Sequence, residues 1–160
     1  MPSIFSLEVS PNLSRATKIL LTSTIAVGVV HHIDHVMRVD HSGWPFQSQV
    51  TPFTYSLLAY PMLLFVLLAK QTSLWLRFAA VAALTAFTLF AHIEIETPYM
   101  QYAMWTLNRS VEPHVGHVQN IFSIQSPGLG IIAVAIGMTL NALLVLSSAS
   151  LFADAYRRSE

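Results

Sequence analysis

Apolar residues run along this chain in four long stretches, about 16–36, 52–69, 74–95 and 128–153, with polar residues gathered at their ends and in the gaps between them. The stretches are continuously apolar and rich in Leu and Ala. This argues against the alternating strands of a transmembrane barrel and for helices. A bilayer hydrocarbon core of about 30 Å takes roughly 20 helical residues per crossing. The pattern therefore predicts an all-α integral membrane protein, a four-transmembrane-helix bundle forming one domain over residues 1–160. The second stretch is the shortest and contains Pro61.

The gaps carry their own signals. Gly43 and Pro45 supply turn chemistry after the first stretch, and Trp44 and Phe46 suit the headgroup boundary. Thr97-Pro98 is predicted to cap and begin a short helix to about Asn108, in which Tyr99, Tyr102 and Trp105 recur at intervals of three. That is the pattern of an interfacial helix in a long outer loop. Ser126-Pro127 restarts the chain as the last helix, where Gly130, Ala133 and Gly137 form a small-residue face that lets another helix approach closely.

Composition sets the solvent. The chain is 54% hydrophobic and 10% charged, with a mean hydropathy of +0.56, too apolar for an ordinary soluble domain. Charge then sets orientation: Arg15, Lys18, Lys70, Arg77, Arg157 and Arg158 fall on one side of the predicted bundle, and only Arg38 and Arg109 on the other. The positive-inside rule places both termini in the cytoplasm, in a multi-pass protein of the cell membrane. The first apolar run lacks a small-residue cleavage site and is read as a retained span. With no cysteine, thiolate metal sites, iron–sulfur clusters and thiol catalysis are excluded. A formal net charge of zero without a basic run argues against nucleic acid as a partner.

Against this background the histidines stand out. All seven, with five of the eight carboxylates, fall in three segments: His31 to His35 with Asp40-His41, His92 to Glu96, and Glu112 to His117. Each lies at the end of an apolar run, and the threading brings all three to the outer face. Helical positions three and four apart share a face. His31, Asp34, His35 and Arg38 therefore align, and His32 pairs with His35 from the neighbouring face, so His31 and His32 compete for one partner. His92 and Glu96 repeat the four-residue spacing, with Glu94 turned away; His114 and His117 form a third pair.

Imidazole with carboxylate suits zinc, iron or copper, as one ion with orienting carboxylates or as a dinuclear pair, which is slightly favoured. The candidate ligands are His31, His32, Asp34, His35, His92, Glu96, His114 and His117. Of these, Asp34 is read somewhat more as an orienting group than as a ligand. Glu94 or Glu112 is the candidate general base or acid, and Arg38 would neutralise carboxylates or bind an anionic group. The string His31-His32-Ile33-Asp34-His35 resembles, over about five residues, a stretch of nickel permeases, without the proline those carry after the first histidine. The other two clusters have no counterpart, and no family is assigned.

The leading function is a metal-dependent membrane enzyme, oxidoreductase or hydrolase, acting on a lipid or other apolar substrate that arrives laterally. The alternatives are a haem-binding electron-transfer protein, or a metal-binding accessory subunit. Membrane lipids are expected partners, and a homo-oligomer or a larger membrane complex is compatible with the pattern.

Overall fold

The computed structural model describes residues 9–38, 52–111 and 118–159, and every regular element among them is helical. These are α1 (Arg15–Arg38), α2 (Pro52–Ser56), α3 (Ala59–Leu68), α4 (Leu74–Phe90) continued by a π-helical turn (Ala91–Ile95), α5 (Pro98–Thr106) and α6 (Pro127–Arg157). The last is the central element: α1, α4 and α5 all pack chiefly on it.

Three helices are long and apolar enough to cross a membrane: α1, α4 with its π turn, and α6. The expected fourth span over 52–69 is instead a shorter apolar segment broken into α2 and α3. Pro61 explains the break. It has no N–H to offer the Leu57 carbonyl, which accepts from Tyr60 N instead, and Leu57 N and Leu58 N bond three residues back to Thr54 and Tyr55. Pro61 then sits in the first turn of α3, where a missing N–H costs little.

The surface is that of a protein turned inside out. Ile19, Phe90, Ile131, Ile132 and Met138 are exposed, whereas Thr17, Thr24, Thr85, Ser147 and Asp154 are buried. Apolar side chains facing outward match hydrocarbon, and helix association there depends on close packing and hydrogen bonds. On α6 the buried residues Gly130, Ala133, Gly137, Leu140, Leu144, Ser147, Leu151 and Asp154 recur at alternating intervals of three and four. The buried stripe of α1, Thr17, Leu21, Thr24, Gly28, His31, His35 and Arg38, follows the same rhythm. This is the spacing of a coiled-coil seam. Hydroxyls join the two stripes, Thr17 Oγ1 to Ser150 Oγ at 2.6 Å and Thr24 Oγ1 to Ser147 Oγ at 3.1 Å. At the N-terminal end of α1, Asp154 accepts from Ser14 N at 2.9 Å and Thr17 Oγ1 at 2.6 Å. Arg77, fully buried one turn inside α4 rather than in the preceding loop, donates to the Val66 carbonyl in the last turn of α3, a favourable place for a cation.

The short helix α5 forms as expected, with Thr97 Oγ1 capping Met100 N. Its aromatic stripe divides, however: Tyr99 is exposed while Trp105 is buried. The small-residue face of α6 is the reason, because α5 docks against it. A Cβ on Gly130 would lie 2.9 Å from the Tyr102 carbonyl oxygen, so only glycine permits this approach. The segment after α5 is organised by buried Asn120, whose side chain donates to the Met104 and Ile124 carbonyls and accepts from Phe122 N and Ile124 N. Asn108, the head of a glycosylation-like triplet, is buried and accepts from Asn120 N.

Candidate metal centre

The coiled-coil rhythm of α1 turns His31 and His35 inward one helical turn apart, near the end of the bundle where α4 passes into its π turn. That turn, closed by Glu96 N to Ala91 O at 2.8 Å, places His92 and Glu96 opposite them. π-turns inserted in α-helices are frequent at functional sites.

The four side chains meet at their tips. His31 Nε2 lies 2.9 Å from His35 Nε2 and 3.0 Å from His92 Nε2, and His35 Nε2 lies 3.0 Å from Glu96 Oε2. One potential ligand atom from each residue falls within 4.8 Å of all the others, and all four residues are buried. Hydrogen bonding does not account for this. A ring nitrogen carries either one hydrogen or one lone pair, so His31 Nε2 cannot donate to one imidazole and accept from the other, and the buried Glu96 Oε2 has no hydrogen-bond partner among the described residues. An ion between the four atoms satisfies all of them. Metal–nitrogen bonds of 2.0–2.1 Å in a tetrahedral site set ligand atoms about 3.3 Å apart, a few tenths of an ångström from the three close spacings, while the four atoms as a set lie within 4.8 Å.

Surrounding groups orient the four. His92 Nδ1 is 2.9 Å from Asn141 Oδ1 on α6; a carbonyl oxygen accepts, so Nδ1 carries the hydrogen and the Nε2 lone pair points into the group. The His35 ring stacks on Phe53 of α2 at a centroid distance of 4.9 Å. Arg38 donates from Nη1 to Glu96 Oε1 and from Nε to Asp34 Oδ2 at 2.7 Å. Asp34 Oδ1 accepts from Trp105 Nε1 at 2.8 Å, which ties α5 to α1. With Glu96 Oε1 occupied by Arg38, Oε2 is the oxygen facing the histidines. Among the described residues, two carboxylates and one guanidinium surround the group, an excess of acidic groups that a divalent cation would more than offset.

The candidates from the sequence thus separate. His31, His35, His92 and Glu96 come together. Asp34 does not join them, since both its oxygens are held by Arg38 and Trp105. His32 faces a different set: Nδ1 contacts the Gly28 carbonyl and the Tyr60 hydroxyl, and Nε2 lies 2.7 Å from Ser56 Oγ. Glu94 is exposed and outside the group. Arg38 is fully buried at its edge. Glu112, His114, His117, Asp40 and His41 lie outside the described residues. Sequence reasoning missed Trp105, Phe53 and Tyr60 as members of the site. Asn141 belongs with them, and one amide in so apolar a helix is itself a signal.

The group forms one wall of a cavity of about 80 Å³ lined by α1, α2, α3, α4 and α6, whose other walls are mostly apolar, among them Leu63, Leu84, Phe87 and Leu144. Comparison of the chain with family models, with curated proteins and with solved structures finds no match in any of the three.

Proposed function

We propose that this chain is an integral-membrane metalloprotein in which His31, His35, His92 and Glu96 hold one first-row transition metal ion, and that it acts as a metal-dependent enzyme on an apolar substrate. The observation that carries the reading is the convergence of three imidazole nitrogens and one carboxylate oxygen on a single point beside an apolar cavity. Three nitrogens and one oxygen suit zinc or iron, with copper a further option. An ion that accepts a further ligand beyond these four would supply Lewis acidity or an activated water or dioxygen. Arg38 keeps Glu96 to one available oxygen, Asn141 fixes the His92 tautomer, and the apolar walls exclude bulk water. Four gathered ligands suffice for a single ion, so this reading departs from the dinuclear expectation.

In the proposed topology α2 and α3 complete the crossing between α1 and α4, both termini are cytoplasmic, and the centre lies toward the outer face. Haem fits less well, because axial imidazoles must stand on opposite sides of a broad macrocycle, whereas these nitrogens are 3.0 Å apart.

Metal analysis of the purified protein, with an absorption spectrum, tests the reading. About one equivalent of a first-row metal without a haem band is expected, lost in a His31→Ala/His92→Ala double variant. Folded wild-type protein that takes up no metal would overturn it and leave the four residues as a buried polar network.

A further inference from the structure

The cavity beside the metal centre has a second polar wall. His32, Ser56 and Tyr60 line it together with the ligand group. The ring centre of His32 is 6.2 Å from those of His31 and of His35, so the two polar walls adjoin along α1. Local structure brings the trio together. The break between α2 and α3 at Leu57–Leu58 leaves Ser56 and Tyr60 both reaching α1, and Ser56 Oγ donates to the Phe53 carbonyl at 2.7 Å while meeting His32 Nε2.

The same side chains have another exposure. His32, Phe53 and Tyr60 also line an apolar groove on the outer surface between α1 and α2–α3, shared with Ile33, Val36 and Ile121. They are therefore a partition one side chain thick between that groove and the interior cavity. A purely structural clamp between α1 and α3 would need no contact with either space.

We propose that the cavity binds an apolar molecule carrying one hydroxyl, of the long-chain alcohol class, which arrives from the membrane through the partition, and that Tyr60, steadied by His32, accepts a hydrogen bond from that hydroxyl. The proposal deepens the metalloenzyme reading and rests on it for the reaction, though not for the binding. Ser56 Oγ commits its hydrogen to the Phe53 carbonyl, so His32, with one ring hydrogen, donates from Nε2 and accepts at Nδ1 from the Tyr60 hydroxyl; the phenolic oxygen is left to accept, which suits an alcohol and not a carbonyl. A plain hydrocarbon would leave the polar wall unpaired on its cavity side. An anionic head would enter a wall whose nearest guanidinium, Arg38, is already engaged by Asp34 and Glu96. At about 10–15 Å³ per water-sized group, the cavity of about 80 Å³ holds on the order of six such groups, so the rest of a longer chain would extend into the groove.

The test uses membranes carrying the full chain and a dodecanol analogue with a diazirine near its hydroxyl and a terminal alkyne. After irradiation, labelled peptides are mapped by mass spectrometry, with unlabelled dodecanol or dodecane as competitor at matched membrane mole fraction. Labelling should fall on the segments around His32 and Tyr60, and dodecanol should compete better than dodecane. Tyr60→Phe should reduce that preference roughly fivefold to tenfold, the effect of one neutral hydrogen bond, with metal content unchanged. Gly28→Leu tests occupancy separately. A Cβ there would already touch Tyr60 and Leu140 at 3.8–3.9 Å, so the rest of a leucine side chain must occupy the cavity beside Tyr60 and should block labelling even where Tyr60→Phe disturbs folding. Labelling elsewhere only, an unchanged preference in folded Tyr60→Phe, or persistent labelling in Gly28→Leu would each overturn the proposal. Cavity labelling in metal-free wild-type protein would sink the metal reading while supporting this one, and metal-loaded protein without cavity labelling would do the reverse.

Discussion

His31 and His32 are neighbours on one helix, and replacing either by Ala removes the same atoms, yet the structure assigns them opposite consequences for metal. His31 supplies one of four converging ligand atoms. Four-ligand structural zinc sites bind with about 10–16 kcal/mol, so an even share is about 2.5–4 kcal/mol per ligand, or on the order of 10²–10³-fold in affinity at 1.4 kcal/mol per tenfold. Both nitrogens of His32 already face Gly28, Tyr60 and Ser56, so His32→Ala should shift affinity by less than about threefold, well under the 10-fold expected even of a lost outer-shell partner. The assay is competition against a chromophoric chelator at buffered free zinc, with metal content by mass spectrometry and helicity by circular dichroism. His31→Gln, closer in volume, separates ligand loss from a packing defect. Loss of metal in His32→Ala with retention in His31→Ala would refute the assignment of the inward face of α1.

Further expectations follow from the same geometry. Asn141→Leu removes the acceptor that sets the His92 tautomer and should weaken metal binding about 10–100-fold without unfolding α6, as chelator competition would register. Gly130→Ala forces a Cβ to within 2.9 Å of the Tyr102 backbone and should cost about 1–3 kcal/mol, read as a lowered unfolding midpoint in detergent; an unchanged midpoint would contradict the close docking of α5. Arg38→Met leaves Asp34 and Glu96 buried without their shared cation and should destabilise by about 3–5 kcal/mol, with partial rescue by Asp34→Asn in a double-mutant cycle. Protons compete with metal for the imidazole lone pairs, so metal content should fall on acidification and recover on neutralisation; occupancy independent of pH would argue against histidine ligation. Single cysteines at Ser48 and Ser159 should label from opposite sides of the membrane, and labelling of both from one side would refute the proposed topology.

What the sequence determined by itself is whatever local chemistry and the solvent dictate. Long unbroken apolar runs must satisfy their backbone internally, so α1, α4 and α6 were legible, as were the Thr97 and Ser126 caps and the small-residue face built on Gly130. Four-residue spacing on a helix likewise made His31 with His35, and His92 with Glu96, readable as pairs. The choice between His31 and His32 was not read, because a helix apolar on nearly every side shows no hydrophobic contrast to mark its inner face. The sign was present in the recurrence of Thr17, Thr24, His31 and Arg38 every seven residues, a polar seam in an otherwise greasy helix. Tertiary structure alone decided the rest. Asp34 turns from ligand candidate to brace because Trp105, distant in sequence, reaches it from α5. The run over 52–69 breaks at Leu57–Leu58, ahead of Pro61, and packing folds Ser56 and Tyr60 back onto His32. The four-residue His/Glu group exists because α6 holds α1 and the end of α4 side by side, and a contact between residues some sixty positions apart depends on packing that no local pattern encodes.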